Sequence, residues 1–209
     1  MSSPKSAAVL VYVDRYSSDV FSEFINAVGG ERSAVRVERV PTPGPMAGVE
    51  WLLPTAVVLF LGKAYFDGFL KEMGKDHYMG LRSGVGTLWK ALVAPEREIQ
   101  LRMIGSEGKI DPDSPYSNEF SIYTETHDGR RIKFLFASGT TREEYLRAVN
   151  AVLDAVQDYH SGNPRSFLHR QIVSAIVPRS PYLIRFDPEK GHLALVDVLP
   201  SRGVRESSE

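Results

Sequence analysis

Two short polar turns carry the residue types that hold an anion. Asp14, Arg15, Ser17 and Ser18 follow the Val-rich run Ala7 to Val13, and Gly62, Lys63 and Tyr65 follow a second such run, Ala56 to Leu61. Both turns open into helical patterns, and backbone N–H groups at a helix start favour phosphate or carboxylate. A third turn of this kind is Ser138 to Thr141. Each also has a plainer reading: Ser and Thr cap helices, Asp14 ends a strand, and Lys63 is solvated. If the runs before the turns are parallel strands, the turns meet at the carboxyl rim, where ligands gather in open α/β sheets.

Other chemistry is poorly represented. The histidines at 77, 127, 160, 169 and 192 lack metal-ligand spacing, so no metal is expected. Asp111 and Asp113 stand among prolines in the polar stretch Gly105 to Asn118, which lacks the pattern of a calcium loop. No glycine-rich phosphate loop or dinucleotide fingerprint is present, and Gly105-Ser106-Glu107-Gly108 lacks the spacing of a nucleophile elbow. The chain of 209 residues has no cysteine, which excludes disulfides and thiolate chemistry and fits a reducing compartment. Lys and Arg total 25 against 26 for Asp and Glu, a balance with no footprint for nucleic acid. The apolar runs fall short of the ~20 residues of a membrane span, and Met-Ser-Ser-Pro-Lys-Ser is not a leader. A cytoplasmic location and no membrane partner are the expectation.

The elements that must position these turns follow from periodicity. Ala7 to Val13 reads as a strand buried on both faces, and Ala34 to Val40 alternates like a strand nearer an edge. Val20, Phe21, Phe24, Ile25 and Val28 form a helical stripe between them. Pro41 to Gly48 is a loop, a short helix covers Val49 to Leu53, and Ala56 to Leu61 is a third strand. Helical stripes cover Ala64 to Leu92. Gly74 is expected to break or bend that helix, and Gly80, Gly84 and Gly86 mark close packing against another backbone. Ile99 to Ile104 is a fourth strand. Phe120–Thr126 and Arg130–Ala137 form a hairpin through Asp128-Gly129, a pair favoured in type I′ turns. Thr141 and Glu144 make a capping box for a helix along Tyr145, Ala148, Val149, Val152, Val156 and Tyr159. Phe167 to Val177 has no clear period, and a second hairpin joins Tyr182–Phe186 to His192–Val198.

Strand, helix, strand, loop-helix, strand, helix, strand is the order of an α/β fold with an open, mostly parallel sheet, flanking helices and right-handed crossovers, extended by two β-hairpins. Residues 1–162 are expected to form the α/β domain, 163–200 a C-terminal hairpin extension packed on it, and 201–209 a disordered tail. Hairpin edges invite pairing with another chain.

Over about residues 7 to 73, VYVDRYSSDVFSEFI, the Pro43-Gly44 loop and VEWLLPTAVVLFLGKAY resemble a TIR (Toll/interleukin receptor) domain, a flavodoxin-like sheet. The resemblance implies a signalling or nucleotide-sensing module without turnover that assembles with itself or a protein partner. Its contact surface would include Pro43, Gly44, Met46 and Trp51. No cofactor is expected, and NAD or another nucleotide is the implied ligand, lined by Asp14, Arg15, Ser17, Gly62, Lys63 and Tyr65. The alternative it implies is NAD cleavage by a helix glutamate, with the pocket at the carboxyl ends of the first and third strands. The chain departs from the family's Tyr-x-x-Ser-x-Trp pattern after Tyr65: Gly68 stands where the Ser belongs, Leu70 where the Trp belongs and Gly74 where the glutamate belongs. The catalytic role would fall to Glu72, two residues early and turned by ~200° on a helix.

Overall fold

Short strands that each place apolar side chains on one common face build a seven-stranded sheet. A computed structural model of the chain describes residues 8–28, 35–41, 55–66, 70–94, 115–174 and 181–196. The strands are β1 (Ala8–Val13), β2 (Val35–Val40), β3 (Val57–Leu61), β4 (Tyr116–Glu125), β5 (Arg131–Ala137), β6 (Tyr182–Asp187) and β7 (His192–Leu195). The helices are α1 (Ser22–Ala27, entered through a 3₁₀ turn at Ser18–Phe21), α2 (Leu70–Leu92), α3 (Arg142–His160) and α4 (Phe167–Ser174). Within the sheet the order is β2-β1-β3-β4-β5-β6-β7.

The architecture is α/β with a mixed sheet. The pairs β1–β2, β3–β4 and β5–β6 are parallel, and each is spanned by helix, as a parallel connection requires. The pairs β4–β5 and β6–β7 are hairpins that continue the same sheet. The pair β1–β3 is antiparallel, with Leu10 opposite Leu59, which corrects the expectation that the first three strands run the same way. The expected short helix Val49 to Leu53, in the connection from β2 to β3, lies outside the described residues. β3 starts at the rim where β2 ends: the Val13 N–H donates to the Ala56 carbonyl at 3.0 Å and the Asp14 N–H to the Val40 carbonyl at 2.8 Å.

One sheet face carries the helices. Leu10 and Tyr12, Leu59 and Leu61, Phe120 and Ile122, Ile132 and Phe134, and Tyr182 and Ile184 point into a single core with Phe21, Phe24, Leu81, Val85, Leu88, Val149, Val152 and Val156. Each large side chain so buried contributes roughly 1.5–3 kcal/mol. α2 lies against α1 on one side and α3 on the other. Its glycines explain how closely: a Cβ on Gly80 would stand 2.7 Å from the Ala27 carbonyl oxygen, and one on Gly84 3.2 Å from that of Phe24. Gly86 meets the Leu146 side chain of α3 at 3.0 Å.

Several local expectations change. α2 runs unbroken through Gly74, because one glycine costs about 1 kcal/mol and the packed stripe after it outweighs that. The first hairpin is not type I′, since no residue except glycine has positive φ. Gly129 alone does, and the Gly129 N–H donates to the Thr126 carbonyl at 3.0 Å, so a three-residue loop ends in a left-handed glycine. The capping box at Thr141 and Glu144 forms as expected. The Phe167 segment begins as helix α4. The expected strand Ile99 to Ile104 and the tail after Val196 lie outside the described residues.

Candidate functional site

The reversal of β3 separates the two turns that the sequence placed together. The carboxyl ends of β1, β2, β5 and β6 share one rim, the upper one, and those of β3, β4 and β7 share the lower. Asp14, Arg15 and Ser17 are therefore at the upper rim, with Ser138 to Thr141, whereas Gly62, Lys63 and Tyr65 are at the lower. A pocket shared by the carboxyl ends of β1 and β3 does not form.

At the upper rim most polar groups complete local structure. Ser17 caps the 3₁₀ turn, its Oγ accepting from the Asp19 N–H at 3.4 Å, and Arg39 donates to the Asp14 carbonyl at 3.0 Å. Tyr16, read from sequence only as part of the turn, is buried and donates its hydroxyl to the Glu119 carboxylate at 2.6 Å. Glu119 is turned inward by the irregular register between Tyr116 and Ser121 in β4.

At the lower rim Tyr65 is a core residue. Its ring lies 5.1 Å from Phe66 and 5.7 Å from His77, and burial pushes its phenol far above the ordinary value. Burial also lowers the His77 imidazole. Lys63 is exposed. The structure gathers histidines that sequence spacing left apart: His160 stacks on Phe66 at 4.9 Å, and His127 stands edge-on to it at 6.0 Å. Thr124 donates its hydroxyl to the Leu61 carbonyl at 2.7 Å and lies 2.8 Å from His160 Nε2. With that hydroxyl proton committed, Nε2–H is the donor of the pair. Among the described residues no group of three or more acidic, histidine or cysteine side chains could hold a metal.

Glu72 lies on α2, and its side chain is outside the described residues, as are Pro43, Gly44, Met46 and Trp51 entirely.

Lys133 stands out on the face opposite the helices. In the β5 run RIKFLFA it sits 1% exposed, donating to Thr55 Oγ1 at 2.7 Å with Nζ 5.3 Å from the centre of the Tyr123 ring. Burial pulls the amine down to about 7 and pushes the Tyr123 phenol up to about 12. Ser121 shares this face, diagonally across from Lys133, because Tyr123 pairs with Lys133 and Ser121 with Leu135. The Ser121 hydroxyl is buried with no hydrogen-bond partner among the described residues. One signal in the sequence could have found this site: a lone lysine inside the otherwise apolar run 132–137.

The two sheet edges differ in kind. β2 carries Arg36, Glu38 and Arg39, with Arg36 and Glu38 ion-paired. β7 reads His-Leu-Ala-Leu, with Leu195 41% exposed. Val173 of α4, the helix that packs on α3, is 72% exposed. Among the described residues no strand pairs with the outer side of β7, and no helix is long and apolar enough to cross a membrane. Compared with known proteins, the chain matches no family model, no curated protein and no solved structure.

Proposed function

We propose that the chain is an assembly module in which two copies join through β7 to make one continuous sheet. The observation that carries this reading is the outer side of β7. The Val196 N–H donates to the Leu183 carbonyl at 2.8 Å, so the backbone groups of Val196, Ala194 and His192 turn toward β6. Those of Leu193 and Leu195 turn away from it.

A two-fold axis normal to the sheet at Ala194 makes that side self-complementary. Leu193 then faces Leu195 of the second copy, and their outward N–H and C=O groups exchange hydrogen bonds in both symmetric positions. The paired leucines lie on the helix-covered face, since Leu193 pairs with Phe186 and Leu195 with Ile184. No like charges oppose each other in this register. The resemblance of residues 7 to 73 to a family known for homotypic assembly agrees with the reading. A nucleotide pocket between the Asp14 and Lys63 turns is not part of it, because the turns lie at opposite rims.

Sedimentation velocity across a concentration series tests the proposal. A monomer–dimer equilibrium that shifts with concentration is expected, and a strict monomer at every concentration overturns it.

A further inference from the structure

Lys133 is a buried lysine that the β7 edge does not use. We propose that Lys133 captures carbon dioxide as a carbamate, held by the hydroxyls of Thr55 and Ser121. The geometry selects this ligand. Lys133 is 1% exposed, which excludes bulky electrophiles, and a small uncharged molecule pays little to enter. Thr55, which accepts a hydrogen bond from the amine, is half-buried.

The reaction needs no oxidant or further reactant. The Nζ lone pair attacks the carbon of CO₂, an N–C bond forms, and one C=O π pair moves onto oxygen. Nζ then gives one proton to water beside Thr55. The neutral amine is the reactive form, and burial keeps a substantial share of Lys133 neutral near pH 7. The product anion needs donors in place of the ammonium. Thr55 Oγ1, which accepts from Lys133 at 2.7 Å, can turn its proton to a carbamate oxygen. Ser121 supplies the second donor, its hydroxyl buried on the same face with no partner among the described residues. Hydrogen bonds to the charged form are what make a buried anion tenable.

The test is ¹³C NMR of the full chain in ¹³C-bicarbonate near pH 8, with trapping by an alkyloxonium salt and peptide mass spectrometry to place the adduct. A carbamate on Lys133 is expected in the wild type. It should be absent from Lys133→Arg and Lys133→Met, and reduced about fivefold or more in Thr55→Val with Ser121→Ala. Circular dichroism confirms that each variant is folded; the two replacements at 133 guard against one failing to fold. No adduct on Lys133 in the folded wild type, or an undiminished adduct without the two hydroxyls, overturns the proposal.

Discussion

The outer strands of this sheet solve the same physical problem in opposite ways. Any edge presents unpaired N–H and C=O groups to passing chains. β2 answers with Arg36, Glu38 and Arg39, charges that a second strand would have to desolvate. β7 carries no acidic or basic residue except His192, and it leaves Leu195 exposed. The contrast teaches that one edge is closed by charge and the other is left able to pair. It also separates two properties that variants can address independently: the stability of the sheet and the pairing of its edge.

The largest expected effect lies away from both edges. Lys133→Met removes an amine whose charged form burial disfavours, and should raise stability at pH 7 by about 3–5 kcal/mol while leaving self-association unchanged. The folded pKa of about 7 lies below the unfolded value of about 10.4, so the unfolded chain binds more protons between them. Wild-type stability should therefore rise as pH climbs from about 7 to about 10, and the gap to Lys133→Met should close over that window. Urea unfolding at several pH values checks both points. A gap that widens with pH would contradict the assignment.

Next in size is the edge itself. Leu195→Arg places like charges beside the proposed axis and should weaken association by about 100-fold with little change in the unfolding midpoint. Smaller still is Gly80→Ala, which pushes a methyl into the Ala27 carbonyl. It should lower stability by about 1–2 kcal/mol without altering association. Gly86→Ala should fall within about 0.5 kcal/mol of the wild type, because the contacting Leu146 methyl can move and alanine favours the helix. If Gly80→Ala and Leu195→Arg changed association equally, edge pairing and general stability would not be separable in this fold.

Much of the architecture was legible because period and chain punctuation act locally. Ala8 to Val13, Val57 to Leu61, the Thr141 capping box and both hairpins follow from alternation, caps and turn residues. Gly80 and Gly84 were read correctly as points of close approach to another backbone, whereas Gly86 meets only the Leu146 side chain. The direction of β3 was not legible, because Val57, Leu59 and Leu61 bury the same side chains whichever way the strand runs. That one reversal moved Lys63 and Tyr65 to the rim opposite Asp14. Lys133 was hidden for a related reason. Alternation assigns it to the face away from the helices, which reads as solvent in a two-layer fold. His127 and His160 meet only because α3 ends where the β4–β5 hairpin turns.

The central claim, pairing of β7 about Ala194, has a direct test because the chain contains no cysteine. In the proposed register Ala194 faces Ala194 of the second copy as a non-hydrogen-bonded pair, with Cα atoms ~4.5 Å apart, within disulfide reach. Ala194→Cys should form a disulfide-linked dimer under mild oxidation, whereas Glu189→Cys, in the exposed loop before β7, should remain monomeric on a non-reducing gel. Equal cross-linking of the two variants, or none for Ala194→Cys at concentrations well above the association constant, would contradict the account.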